Sequence, residues 1–182
     1  MKMSRVWAMA NKVTFSIKPI GSLVQRYLSL PGIEISIDPF ARDCNLATYT
    51  NDLNPSTSAR YHLDVLDFLQ VLVDKGVRAQ LVIFDPPYSP RQIKECYNGV
   101  GRKMQQSDAW RTNGWSPEKN LISELLDDGG YFLYFGWNTT GMCKSRGFEI
   151  VEFMDVCHGP GHNDTLCLVE RKKEATNEYQ VC

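Results

Sequence analysis

Asp85-Pro86-Pro87-Tyr88 is the run in this chain whose residue types and spacing most clearly amount to chemistry. It directly follows residues 81–84, Leu-Val-Ile-Phe, a short apolar run that reads as a buried strand. An acid, two prolines and a phenol at the carboxyl end of a strand make a stiff polar tip. Consecutive prolines fix φ twice and remove two backbone donors, which leaves the flanking carbonyls free to accept from a ligand. Asp85 adds a carboxylate acceptor, and Tyr88 a flat face against which a planar group can stack. The ligand these groups suit is an amino group on an aromatic ring.

Such a tip needs a sheet behind it, and the chain supplies one. Residues 17–30 read as a helix with Ile20, Leu23, Val24 and Tyr27 on one side, Pro19 in its first turn and Pro31-Gly32 as its stop. Short strands follow at 34–37, 46–50 and 61–63, then a helix through Val65, Leu66, Leu69 and Leu72. A helix from 117 to about 126, a turn at 127–130 and an apolar strand at 131–135 come next, and strands at 149–157 and 165–170 close the chain. Strands alternating with helices and ending on a hairpin predict an α/β sheet, mostly parallel with one antiparallel member. Ligands on such sheets bind at the carboxyl ends of strands, at the switch point. Asp38, Asp52 and Asp64 each fall just after one of the three short strands, ahead of Asp85.

With 182 residues, 43% hydrophobic and 23% charged, the chain reads as one globular domain, residues 1–171, with a polar tail at 172–182. No apolar run approaches a membrane span, and residues 1–12 lack the apolar core of a signal peptide, so a cytoplasmic location is expected. The six cysteines are scattered without a C-x-x-C pair and read as free thiols. Cys157, His158 and His162 are the nearest approach to a metal set, and no metal is expected. The net charge of −1 is awkward for a duplex-binding protein, whose affinity comes largely from phosphate contacts.

Taken together, these runs resemble the S-adenosylmethionine-dependent DNA amino-methyltransferases of bacteria and phages. Asp85-Pro86-Pro87-Tyr88 is similar to their catalytic motif, residues 17–28 to their helical Lys-Pro motif, Asp38-Pro39-Phe40 to their Asp-Pro-Phe motif, and Asp52 and Asp64 to their ribose- and adenine-contacting acids. The resemblance implies a Rossmann-like class I methyltransferase sheet with a C-terminal antiparallel hairpin. It also implies S-adenosyl-L-methionine held by Lys18, Pro19, Asp38, Phe40, Asp52 and Asp64, and methyl transfer to N6 of an adenine extruded from DNA. Cytosine N4 methylation, methylation of RNA or of a protein amide, and a catalytically silent DNA-binding subunit are the alternatives. One departure stands out: Ala41-Arg42-Asp43-Cys44 replaces the family's glycine-rich turn.

No segment is left for a separate target-recognition domain, so a homodimer or a specificity subunit is a possible partner. Within the chain, the stretch 89–119 is the expected DNA contact. It reads as a mobile polar loop carrying Arg91, Lys94, Arg102, Lys103 and Arg111, with Tyr97, Trp110 and Trp115 interleaved.

Overall fold

The computed structural model describes residues 1–111 and 114–174, with the side chains of Ser107 and Trp110 outside that description, as are residues 175–182 of the expected tail. Seven strands form one sheet in the order β1-β6-β7-β5-β4-β2-β3: β1 (Lys2–Trp7), β2 (Ser36–Asp38), β3 (Tyr49–Thr50), β4 (Ala79–Phe84), β5 (Leu126–Gly136), β6 (Phe148–Cys157) and β7 (Thr165–Lys172). Every neighbouring pair is parallel except those made by β7, which runs antiparallel to both β5 and β6. Helices α1 (Lys18–Leu28), α2 (Val65–Asp74), α3 (Pro90–Gly99), α4 (Gln106–Trp110) and α5 (Ser116–Leu125) complete the chain.

The central strands are apolar on both faces because both faces are covered. Val82, Phe84, Phe132 and Tyr134 pack toward α2, α3 and α5. Leu81, Ile83, Leu133 and Phe135, one step out of phase, pack with Ile20, Leu23, Val24 and Tyr27 of α1. Gly21 lets α1 sit down, since a Cβ there would lie 2.4 Å from the Phe15 carbonyl oxygen. Arg26 fixes the helix's other end, donating twice to Glu152 of β6 at 2.9 and 2.7 Å, and the Tyr27 hydroxyl donates to the same carboxylate.

Four expectations need revision. First, β1 had no counterpart in the sequence reading; it is an edge strand whose Met3 and Trp7 are exposed, so no apolar alternation marks it. Second, the strands expected at 46–50 and 61–63 shrink to two residues and to a single bridge between Asn51 and Tyr61, because 39–48 is too short for a crossover helix. Third, β5 runs through the expected turn at 127–130, which becomes a register shift that Gly129, at φ +79, accommodates. Fourth, the stretch 89–119 is largely helical: Ser89 caps α3, Pro90 opens it, and Ile93 and Tyr97 anchor it one turn apart.

Candidate active site

From β2 the chain passes outward to β3, while β4 lies on the other side of β2 and leads to β5. The sheet therefore parts between the carboxyl ends of β2 and β4, which is where α/β sheets bind ligands. A cleft of about 680 Å³ opens there, walled by the turn after β2, the segment 51–65, α3, and residues 85–88.

Asp85 leaves β4 into this cleft with Pro86 buried behind it. Its carboxylate accepts from the Tyr88 hydroxyl, so the two ends of the tetrapeptide close on each other. Gln92 Oε1 accepts from the Tyr88 backbone N–H at 2.5 Å, tying the tip to α3. Burial holds the Asp85 carboxyl above the usual range, opposed by the hydroxyls of Tyr88 and Thr14 and by the charge of Arg42. Burial and the neighbouring Asp85 push the Tyr88 phenol up in turn. Phe40, expected at the cofactor, meets Phe84 and Trp115 edge-on at 5.3 and 5.5 Å, so Trp115 joins it in the cleft wall instead of facing outward on a loop.

Asp38, at the end of β2, is 1% exposed; Oδ1 accepts from the Phe40 N–H at 3.0 Å, while Oδ2 is buried with no hydrogen-bond partner. Burial raises its carboxyl well above the ordinary value, and the charges of Asp85 and Asp52 add to the shift. Asp52 lines the cleft, with Oδ1 accepting from the Asn54 N–H at 2.8 Å. Asp52 and Asp85 line the cleft, whereas Asp38 does not reach its surface and lies behind Phe40 with one oxygen unsatisfied; a lining of this kind favours a ligand that brings hydrogen-bond donors.

Arg42 stands where a glycine-rich turn was expected, and its backbone does adopt φ +52, the left-handed region that glycine enters most easily. Its side chain reaches back to donate to the Lys12 carbonyl at 2.8 Å, drawing residues 10–14 along the cleft. Asn51, fully buried, braces the opposite wall by donating to the Pro39 and Leu63 carbonyls and accepting from the Leu63 N–H.

The structure does not bring every sequence-predicted residue to this place. Lys18 is exposed, and neither it nor Pro19 is among the cleft-lining residues. Asp64 lines the cleft, but it caps α2 and its carboxylate is already engaged: Arg111 donates to both oxygens at 2.9 and 3.0 Å, Arg102 at 2.8 Å and the Tyr97 hydroxyl at 3.1 Å. Burial opposes its ionisation, yet Arg111 outweighs that and holds the carboxyl below its usual range. Arg111 also lies 3.3 Å from the buried Glu118. Two of the five basic residues expected to face DNA thus clamp α2, α3, α4 and α5 together, and Arg91 pairs with Glu95 on its own helix. Lys94 and Lys103 remain exposed and unpaired among the described residues.

Of the Cys157, His158 and His162 set, both His158 ring nitrogens are engaged, with the Ala8 carbonyl at 2.8 Å and the Thr165 hydroxyl at 2.9 Å. Asp155, Cys157 and Asp164 do cluster, but Arg5 lies against them, 2.9 Å from the thiol and 3.2 Å from Asp155.

With this geometry in place, solved structures give the architecture a name. The N-methyltransferase NodS from Bradyrhizobium japonicum WM9, in complex with S-adenosyl-L-homocysteine, superposes with a TM-score of 0.56 at 12% identity, covering 90% of this chain and 90% of that one. A methyltransferase homologue from Pyrococcus horikoshii gives 0.52 at 11% identity, over 87% and 66%. TrmN from Thermus thermophilus gives 0.51 at 15%, covering 84% of this chain, which spans only 47% of TrmN. The chain has the Rossmann-like class I methyltransferase fold. No protein-family model matches the sequence, and no curated protein matches it. At these identities the likeness is one of fold, and the chemistry of the cleft has to be argued from its own residues. No helix among the described residues is long and apolar enough to cross a membrane.

Proposed function

We propose that this protein transfers a methyl group from S-adenosyl-L-methionine to the exocyclic N6 of an adenine in DNA. The observation that carries the reading is the Asp85-Pro86-Pro87-Tyr88 tip, delivered by β4 into a cleft at the sheet's switch point on a methyltransferase fold. S-adenosyl-L-methionine fits the donor set: its ribose offers hydroxyl donors to Asp52 on the cleft wall. Phe40, Leu53, Leu63, Val65 and Ile93 supply apolar wall for the nucleoside, while Asp38 lies behind Phe40 with one oxygen to satisfy. Because Asp64 is clamped by arginines, its part in this reading is to shape the wall at the adenine end.

When bound, the cofactor supplies an electrophilic methyl on sulfur. The chain's task is to hold an amine in line with it. Aryl amines are poor nucleophiles because the nitrogen lone pair is delocalised into the ring. Asp85 and the Pro86 carbonyl accept the two amine hydrogens, which favours a more tetrahedral nitrogen. With that methyl transferred to the nitrogen, Asp85 would take the surplus amine proton and pass it to water. To reach Asp85 the amine displaces the Tyr88 hydroxyl, after which the Tyr88 ring is free to stack on the base. Stacking returns ~1–3 kcal/mol of the few kcal/mol that unstacking the base costs.

Two variants test the division of labour. Asp52→Ala should weaken S-adenosylmethionine and S-adenosylhomocysteine alike in calorimetry, since both share the ribose. Asp85→Ala should bind both normally yet transfer no labelled methyl to unmethylated DNA. Near-normal turnover by Asp85→Ala would remove the tip from the chemistry.

A further inference from the structure

The helical rim of the cleft, where phosphate contacts were expected, has most of its positive charge tied to acids: Arg102 and Arg111 to Asp64, Arg91 to Glu95. The opposite rim has a different character. Trp137 directly follows β5, is 42% exposed, and stands 5.4 Å from the Tyr88 ring at 60°. A second hollow continues from the main cleft, the two sharing Trp137, His162 and Asn163. Farther along, Trp7 at the end of β1 is 65% exposed and lies against Gly159 of the same β6–β7 loop.

Trp137 is held out deliberately. The segment behind it is pinned from three sides: Asn138 Oδ1 accepts from the Tyr134 hydroxyl at 2.8 Å and from the Thr140 N–H at 3.1 Å, and the buried Lys119 donates to the Thr140 carbonyl. The buried Glu170 accepts from the Met142 and Cys143 N–H groups at 2.5 and 3.2 Å. Gly141 is pressed so closely on that carboxylate that a Cβ would lie 2.0 Å from Oε2. Burying a lysine and a glutamate is costly, and what these two fix is the segment that presents the indole.

We infer that an unpaired stretch of polynucleotide runs from the Tyr88 tip over Trp137 toward the 158–164 loop, held mainly by base stacking. This rests on the adenine-methylating reading above. Aromatic faces accept any base, His162 and Asn163 offer polar groups at their edge, and a path of this kind needs few phosphate contacts. It reconciles nucleic-acid binding with a net charge of −1 and implies a shallow salt dependence.

The test is fluorescence anisotropy with a short labelled oligonucleotide, as single-stranded DNA, single-stranded RNA and duplex DNA, on the protein saturated with S-adenosylhomocysteine. The expected result is single strands binding more tightly than duplex, with Trp137→Ala weakening them about tenfold. Trp137→Phe should recover most of the loss. Lys94→Ala/Lys103→Ala should cost less than about threefold, and S-adenosylhomocysteine affinity should hold throughout. The DNA and RNA arms decide which strand the path prefers. A tenfold loss in the double lysine variant with Trp137→Ala unchanged would put the strand on the helical rim and overturn the path, as would tighter binding of duplex. Wild-type methylation of adenine with Trp137→Ala at unchanged KM also overturns the path alone. A wild-type protein that binds no oligonucleotide and methylates none overturns the proposed function, and the path with it.

Discussion

Replacing Asp64 with Asn should destabilise the fold by about 3 kcal/mol while leaving the cofactor site nearly intact. The side chain is 9% exposed and its main partner, Arg111, 17%. Removing one partner of a buried ion pair costs ~3–5 kcal/mol because the other charge is left uncompensated. Here Glu118 still lies 3.3 Å from Arg111, which argues for the lower end. Arg102 is 41% exposed and adds under ~1 kcal/mol. Asn can still accept from the Leu66 N–H, so the cap of α2 is largely kept. For a chain of this size, roughly 2–4 °C of Tm follows each kcal/mol, so a fall of roughly 6–12 °C is expected. Urea unfolding at neutral pH measures the difference directly. The Asp64 carboxyl is held below its usual range, so its contribution is full above the unfolded aspartate pKa of ~3.9 and is lost as pH falls through the lower folded value. The gap between wild type and variant should therefore close in acid. A stability within ~1 kcal/mol of wild type, joined to a large loss of S-adenosylhomocysteine affinity, would refute the clamp. It would return Asp64 to the ligand-contacting role that the sequence resemblance implies.

Methyl transfer should fall toward acid pH with an inflection above the ordinary aspartate range, because only the ionised Asp85, whose pKa burial raises, can take the surplus amine proton. Tyr88→Phe keeps the ring but removes a hydroxyl that favours ionised Asp85 in the free protein, so the inflection in kcat/KM should move to higher pH with turnover retained; an inflection that stays or falls would contradict the hydroxyl's part. The buried Lys119 amine is lowered to about 8 from 10.5 by burial. The unfolded chain then holds the extra proton between those values, so its penalty is complete below about 8 and is relieved as pH rises toward 10.5, by up to ~3 kcal/mol at ~1.36 kcal/mol per unit. Lys119→Met should lack this rise, and identical pH profiles for the two proteins would remove Lys119 as its source.

The sheet was legible wherever burial on both faces left an unbroken apolar run, as at 81–84 and 131–135, and where caps bounded a helix, as at Pro19 and Pro31-Gly32. It was illegible where the pattern is broken by exposure: Met3 and Trp7 hide β1, and only Ile93 and Tyr97 anchor a polar α3. Ser89-Pro90 was the overlooked signal there, a cap followed by the residue best suited to a first turn. In the site, Asp38 and Asp85 could be placed because each stands at the carboxyl end of a strand, whereas Asp64 heads α2 and follows no strand. What sequence could not supply was the pairing of Asp64 with Arg102 and Arg111, which lie 38 and 47 residues away and meet it only once α4 and α5 are packed. Trp137 was missed for a similar reason, and Trp115 was assigned to a DNA-facing loop rather than to the cleft: a lone tryptophan has no spacing to betray whether it faces core, cleft or solvent.

The central claim is that this fold methylates an exocyclic amine of adenine, and the chemical identity of the product tests it most directly. Unmethylated DNA incubated with the protein and isotopically labelled S-adenosylmethionine, then digested to nucleosides and resolved by mass spectrometry, should yield labelled N6-methyldeoxyadenosine, absent with Asp85→Ala. Label in N4-methyldeoxycytidine would move the target to cytosine. No labelled nucleoside, from a protein that nonetheless binds S-adenosylhomocysteine, would contradict the account and leave a cofactor-binding fold without DNA chemistry.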